Sequence, residues 1–104
     1  MRKRNAKTLE FLDDLAGGPL TFGEVVRAAR DLNGISQAEL ARTLGVGRQS
    51  ICDVEKGRAL VSVEKAAKIA EALNHNKKLF VRLALQDQVA RAGLKLEVTV
   101  GDAA

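Results

Sequence analysis

The run from residue 36 to residue 57 constrains the fold of this chain more than any other stretch. Ser36 and Glu39 have the spacing of a capping box, in which the hydroxyl accepts a hydrogen bond from the backbone three residues on and the carboxylate accepts one from the cap residue. A helix is therefore predicted to start at Gln37. Gly45 is predicted to end it, because a residue without a Cβ atom adopts the left-handed conformation at little cost.

A second helix is predicted directly after this turn. Ile51 and Val54 continue the apolar stripe of the first helix, and Val46 fills the corner between the two helices. The residues left on the opposite, solvent-facing side are Arg48, Gln49, Cys52 and Asp53. Two helices joined by so short a turn are typical of a DNA-binding motif whose second helix enters the major groove.

Arg48 and Gln49 stand at the start of this second helix. In the major groove an arginine pairs with the O6 and N7 atoms of guanine, and a glutamine pairs with the N6 and N7 atoms of adenine. The same residues could be an ordinary solvated helix face, but their place in the motif favours base contact. The pattern therefore predicts sequence-specific binding to double-stranded DNA.

The segment resembles the helix-turn-helix of the phage repressor/Cro family, also called the xenobiotic-response-element family. The resemblance covers roughly residues 22 to 85 and rests on the entry ISQAELA at 35–41, the turn LGV at 44–46 and the exit from Ile51 to Arg58. It implies an all-α, five-helix repressor-like DNA-binding domain. The second helix of the motif is called the reading helix below.

The resemblance also implies roles for individual residues. Family positions that face base edges are occupied by Arg48, Gln49 and Asp53. Family positions that contact phosphates or the DNA backbone are occupied by Gln37, Ser50, Lys56 and Arg58. Gln37 is further expected to brace the reading helix, and Ser50 could also touch a base. Arg30 and Glu55 match a partly buried ion pair that ties the first family helix to the reading helix, and such a pair constrains geometry more surely than it adds stability.

Two residues depart from the family pattern. Gly47 stands where a serine or threonine usually caps the reading helix. Asp53 places a carboxylate where arginine, glutamine or lysine is more common, and it could accept from cytosine N4 while repelling nearby phosphates. The base preference is therefore left open by the sequence.

In the C-terminal residues, apolar side chains recur at every second position instead of with the helical period. Leu94, Leu96, Val98 and Val100 alternate with polar residues, which predicts a half-buried β-strand. Because the sequence shows no second convincing strand, we expect this one to pair antiparallel with its copy across a two-fold axis. The resulting homodimer would place two reading helices about 34 Å apart in successive major grooves of a palindromic operator.

The chain divides into three predicted parts. Residues 1–19 form a basic N-terminal arm and a short helix, 20–92 the helix-turn-helix DNA-binding domain, and 93–104 the dimerisation strand and tail. The arm is either a solubilising terminus or a segment that reaches into the minor groove.

Composition narrows the class of protein. The 104 residues carry 17 Lys and Arg against 13 Asp and Glu, a net charge of +4 that favours a polyanionic partner. One cysteine and one histidine are too few for a disulfide, a cysteine-based zinc site or a familiar catalytic set, so we expect no enzyme activity, metal or cofactor. No membrane span or signal sequence is recognisable, and a cytoplasmic location is expected.

Two functional hypotheses follow. The first is a dimeric, sequence-specific transcriptional regulator, with repression as the expected direction. Compact members of this family often serve as antitoxins that repress their own operon, and a toxin partner would then bind residues 1–16 or the broad apolar face of the last helix. The alternative is a protein–protein interaction module that keeps the fold without specific DNA reading.

Overall fold

The computed structural model describes residues 21–103, and the helices in this part of the chain carry the fold. They are α1 (Phe22–Leu32), α2 (Gln37–Leu44), α3 (Arg48–Glu55), α4 (Val63–Ala72) and α5 (Lys77–Arg91). The predicted all-α architecture of five helices is confirmed. The predicted basic arm and N-terminal helix, residues 1–19, lie outside the described residues.

The helix starts are where the capping residues predict them. Thr21 and Ser36 each accept a hydrogen bond from the backbone N–H three residues on, and Glu24 and Glu39 complete the two capping boxes. The hydrogen bonds from Ser36 lower the pKa of Glu39, because they stabilise its carboxylate. The remaining side-chain caps come from Ser62 on α4 and Asn76 on α5.

The core lies where the inner faces of all five helices converge. Phe80 of α5 is completely buried at its centre, and its ring meets that of Phe22 edge-on at 6.0 Å. Leu40 of α2, Ile51 of α3 and Ile69 of α4 are buried in the same core. The reading helix, α3, therefore packs into the core through its inner side and leaves its outer side facing solvent.

The turn between α2 and α3 has the predicted backbone. Gly45 ends α2 with a φ of 72°, in the left-handed region that L side chains rarely adopt. The N–H of Val46 then donates to the carbonyl of Ala41, which draws the chain back across the end of the helix. This turn sets the direction in which α3 leaves.

The C-terminal segment differs from the prediction. No residue of the described chain lies in a β-strand, and residues 94–103 carry neither helix nor strand. They run back along α5, held by a bond from the N–H of Leu94 to the carbonyl of Val89 and by an ion pair between Lys78 and Asp102 at 3.0 Å. A lone segment has no strand to pair with, and Gln86 of α5 bonds to its backbone instead. The predicted strand pairing is therefore absent from a single chain.

Candidate DNA-binding surface

The reading helix α3 presents a polar face to solvent. Its buried residues are Ile51 and Val54, which point into the core. Around the rest of its circumference, Arg48 and Gln49 are exposed, and the half-buried residues are Ser50, Cys52, Asp53 and Glu55. We call Arg48, Gln49, Ser50 and Asp53 the reading face. The structure brings these four predicted site residues together on one helix.

A hydrogen-bonded ion pair fixes the C-terminal end of α3. Arg30 of α1 donates twice to Glu55, from Nε to Oε2 at 2.7 Å and from Nη2 to Oε1 at 3.2 Å. Its Nη1 donates to the carbonyl of Ile35 at 2.8 Å. Only 12% of the Arg30 side chain and 3% of the Glu55 side chain are exposed, so the pair is largely removed from water. The hydrogen bond with Glu55 raises the pKa of Arg30 above its ordinary value.

Gln37 adds a third helix to this network. It is the first residue of α2, and its Nε2 donates to Oε1 of Glu55 at 3.0 Å. One carboxylate at the end of α3 thus accepts from both α1 and α2. Bidentate, charge-assisted bonds of this kind are directional, and here they fix how the reading face is tilted relative to the other helices.

Gly23 brings α1 against α3 more closely than any other residue type could. A Cβ atom built at this position would lie 2.3 Å from the carbonyl oxygen of Val54 and 2.7 Å from that of Glu55. Both atoms belong to the backbone of the reading helix and cannot rotate away. Gly23 was not among the predicted site residues, although a glycine near the start of a predicted helix is a signal of close backbone approach.

The carboxylate of Asp53 is occupied by two neighbours on the protein surface. Gln49 donates from Nε2 to Oδ1 of Asp53 at 2.9 Å, one helical turn away. Nη1 of Arg58 lies 3.7 Å from the same oxygen, and the N–H of Arg58 donates to the carbonyl of Asp53 at 2.8 Å. Asp53 therefore orients the Gln49 amide and holds Arg58 beside the end of the helix.

Two further cations lie near the reading face. Lys56, the C-cap of α3, is exposed, as the site prediction requires of a phosphate contact. Lys65 of α4 was not predicted, and its Nζ donates to Oγ of Ser50 at 3.4 Å. Sequence reasoning could not find it, because the contact depends on how α4 packs against the motif. Its position makes it an additional candidate for phosphate contact.

The same part of the chain offers little to a metal ion or a membrane. Within residues 21–103 no group of three or more His, Cys, Asp or Glu residues could hold a metal ion. The ring of His75 stacks on Phe80, with centroids 5.8 Å apart. Among the helices of this segment, none has the length and apolar character needed to cross a membrane.

Comparisons with known proteins agree with this geometry. Residues 26–75 match the family described as Helix-turn-helix, and this range contains α2, α3 and α4 whole. A protein of Pyrococcus furiosus, provisionally named an HTH-type transcriptional regulatory protein, is 43% identical over 49 residues, which are 47% of this chain and 16% of that protein. A protein of Thermococcus kodakarensis with the same provisional name is 41% identical over 49 residues, 47% of this chain and 15% of its own. The matched segment is thus a small part of either relative.

Proposed function

We propose that this chain is a sequence-specific DNA-binding transcriptional regulator, because residues 26–75 match the helix-turn-helix family. One observation carries the proposal. The reading helix buries its apolar side, is fixed at its end by Arg30 and Gln37 through Glu55, and leaves Arg48 and Gln49 exposed at its start. A rigidly held helix with an exposed arginine and glutamine is what base reading in the major groove requires.

The reading face divides into two kinds of contact. We assign base contacts to Arg48, which would donate to guanine, and to Gln49, which would pair with adenine. Asp53 acts through Gln49, because its Oδ1 already accepts from that amide. The bond to Asp53 fixes the orientation of the Gln49 amide, so that its oxygen would accept a hydrogen bond from the N6 amino group of adenine. Contacts to phosphates and the DNA backbone are assigned to Gln37, Ser50, Lys56 and Arg58.

We further propose that the chain acts as a homodimer on a palindromic operator and represses by occupying it. A single copy presents one reading helix of eight residues, whereas two copies related by a two-fold axis would read two half-sites. Operation as the antitoxin of a toxin–antitoxin pair is a narrower form of the same proposal. The broad face of α5, one of its suggested toxin sites, is partly taken up by the chain's own C-terminal segment.

The alternative, an interaction module without DNA reading, had two sequence features in its favour. One was Gly47, which gives α3 no side-chain cap, yet the helix forms from Arg48 onward. The other was the carboxylate of Asp53, which is placed beside Gln49 and Arg58 rather than left unpaired. We therefore prefer the regulator to the interaction module.

Selection of DNA duplexes from a random library by the full chain provides the test. The selected duplex is then compared with a scrambled duplex of the same composition by fluorescence anisotropy over a salt series. We expect preference for the selected sequence and a steep loss of affinity with salt, because contacts with phosphates release counterions. Failure to enrich any sequence, with weak and equal binding to both duplexes, would leave only the interaction module.

Three variants locate the surface. Arg48→Ala should lose about 1–3 kcal/mol on the selected duplex and relax preference at one base pair. Lys56→Ala should weaken both duplexes alike and lower the salt slope by about one. Lys77→Ala is the matched control, because Lys77 is an exposed cation at the start of α5, where it pairs with Glu71 at 2.7 Å. If the control weakens binding as much as the other two variants, the assigned surface is wrong.

A further inference from the structure

The C-terminal segment has one backbone edge that is already occupied. Gln86 of α5 donates from Nε2 to the carbonyl of Leu96 at 2.9 Å, and its Oε1 accepts from the N–H of Val98 at 2.8 Å. One residue of a neighbouring parallel β-strand makes the same pair of bonds, from its N–H to the C=O of one residue and from the N–H of the residue two positions on to its C=O. The amide of Gln86 thus bonds to this segment as a neighbouring strand would and satisfies one of its edges.

The opposite edge is open. In an extended chain the backbone groups of successive residues point to alternate sides, so those of Lys95, Glu97 and Thr99 point away from Gln86. No group of residues 21–103 forms a hydrogen bond with these three backbones. An extended segment with one unpaired edge is a template for a further strand.

Exposed leucines lie beside this edge. Leu96 is 60% exposed and Leu94 is 52% exposed, whereas Val98 and Val100 are half-buried. In an extended chain all four side chains point to one face. A second strand on the open edge would cover the part of this face that the chain's own helices leave in water.

We propose that the open edge pairs antiparallel with the same edge of a second copy, with Leu96 opposite the partner's Leu96 on the two-fold axis. This rests on the homodimer proposed above and adds the surface and register by which it forms. In that register Lys95 lies opposite the partner's Glu97, and symmetry repeats the pair. Leu96 then occupies a non-hydrogen-bonded pair, in which the side chains approach most closely.

The charges of Lys95 and Glu97 favour this register over registers shifted by one residue. A shift of the axis to residue 97 would place Glu97 opposite the partner's Glu97, and a shift to residue 95 would place two lysines together. Like charges directly opposite destabilise an antiparallel pair, and opposite charges stabilise it. A shift of the axis to Val98 would gain no ion pair and would separate the two exposed leucines.

Cysteine crosslinking of the full chain tests the register. Each variant is made with Cys52→Ser, so that the new thiol is the only one, and is oxidised at micromolar concentration. Leu96→Cys should form a disulfide dimer, because only the residue on the axis faces its own copy at the Cα separation that a disulfide needs. Lys95→Cys and Glu97→Cys should not crosslink alone, but a mixture of the two should.

The outcomes separate this inference from the proposals on which it rests. Sedimentation that shows a dimer, together with faster crosslinking of Glu97→Cys than of Leu96→Cys, would overturn the register and leave the homodimer standing. A monomer that does not crosslink at any position would overturn both, while sequence-specific binding to the selected duplex would still support the regulator.

Charge exchange gives an independent readout. Lys95→Glu and Glu97→Lys should each weaken dimerisation by about tenfold or more, because each change creates two like-charge pairs across the axis. The double variant should restore the parental dimer. Lys77→Glu is the control, since Lys77 lies at the start of α5 and outside the segment. Single variants that dimerise like the parent, or a double variant that stays weakened, would contradict the pairing.

Discussion

Replacing Gly23 with alanine should loosen the hold of α1 on the reading helix. The added Cβ would lie 2.3 Å from the Val54 carbonyl oxygen, where ordinary contacts begin at 3.4 Å, so the two helices must separate by about 1 Å. Overpacking of this kind costs about 1–3 kcal/mol. Alanine gains back about 0.5–1 kcal/mol in helix propensity, because glycine loses more conformational freedom in a helix. The net loss of unfolding free energy should be about 0–2.5 kcal/mol, with a midpoint of about 1 kcal/mol.

Urea unfolding followed by circular dichroism at 222 nm measures this loss, and anisotropy with the selected duplex measures its effect on binding. Gly101→Ala is the control, because a Cβ atom there meets nothing within 4 Å. We expect Gly23→Ala to bind the selected duplex more weakly even at temperatures where it is fully folded, since the end of α3 has moved. A Gly23→Ala protein as stable as the parent and with the same DNA affinity would refute the claim that this backbone contact positions α3.

Three further predictions concern charged groups. Glu55→Gln should cost about 2–4 kcal/mol of unfolding free energy in urea, because it leaves the mostly buried Arg30 with only the exposed carboxylate of Asp31, 3.6 Å away, as a counter-charge; a loss below about 0.5 kcal/mol would contradict this. Asp53→Ala should free the Gln49 amide and reduce discrimination at the base pair that Gln49 contacts. Binding to single-base variants of the selected duplex measures this, and unchanged discrimination would show that Asp53 does not orient Gln49. Burial raises the pKa of Asp87 above its ordinary value, so the parent loses stability as pH rises from the unfolded pKa of 3.8 through the folded one. The free energy of unfolding of Asp87→Asn, measured in urea, should therefore rise relative to that of the parent as pH increases through this range, and the two should not diverge below it. A difference between the two proteins that does not depend on pH would contradict this.

Local chemistry explains why the helix starts could be predicted. A capping box such as Ser36 with Glu39 uses only residues within one turn, and the left-handed conformation of Gly45 is a property of that residue. The apolar period then identified Ile51 and Val54 as the inner side of α3. These local signals were enough to place Arg48 and Gln49 on an exposed face.

Contacts between distant parts of the chain could not be predicted in this way. The approach of Gly23 to α3 depends on the angle at which two helices cross, and the bond from Lys65 to Ser50 depends on the packing of α4. The resemblance to the family suggested the pair of Arg30 with Glu55, but its distances required coordinates.

The C-terminal segment shows the limit of periodicity. Alternation of apolar and polar residues at 94–100 predicted a strand, and such a pattern states which side chains share a face. It does not state which backbone edge is satisfied. Because the chain returns along α5, Gln86 can bond to the backbone of Leu96 and Val98. These bonds satisfy one edge of the segment and leave the other edge for pairing.

Titration of the ¹⁵N-labelled chain with the selected duplex, followed by NMR, asks directly whether the reading helix meets DNA. We expect the largest shifts at the backbone amides of residues 48 to 53 and at the side-chain amide of Gln49, with little change in α5. Large shifts confined to α5 or to the C-terminal segment, with α3 unperturbed, would contradict the assignment of the reading face.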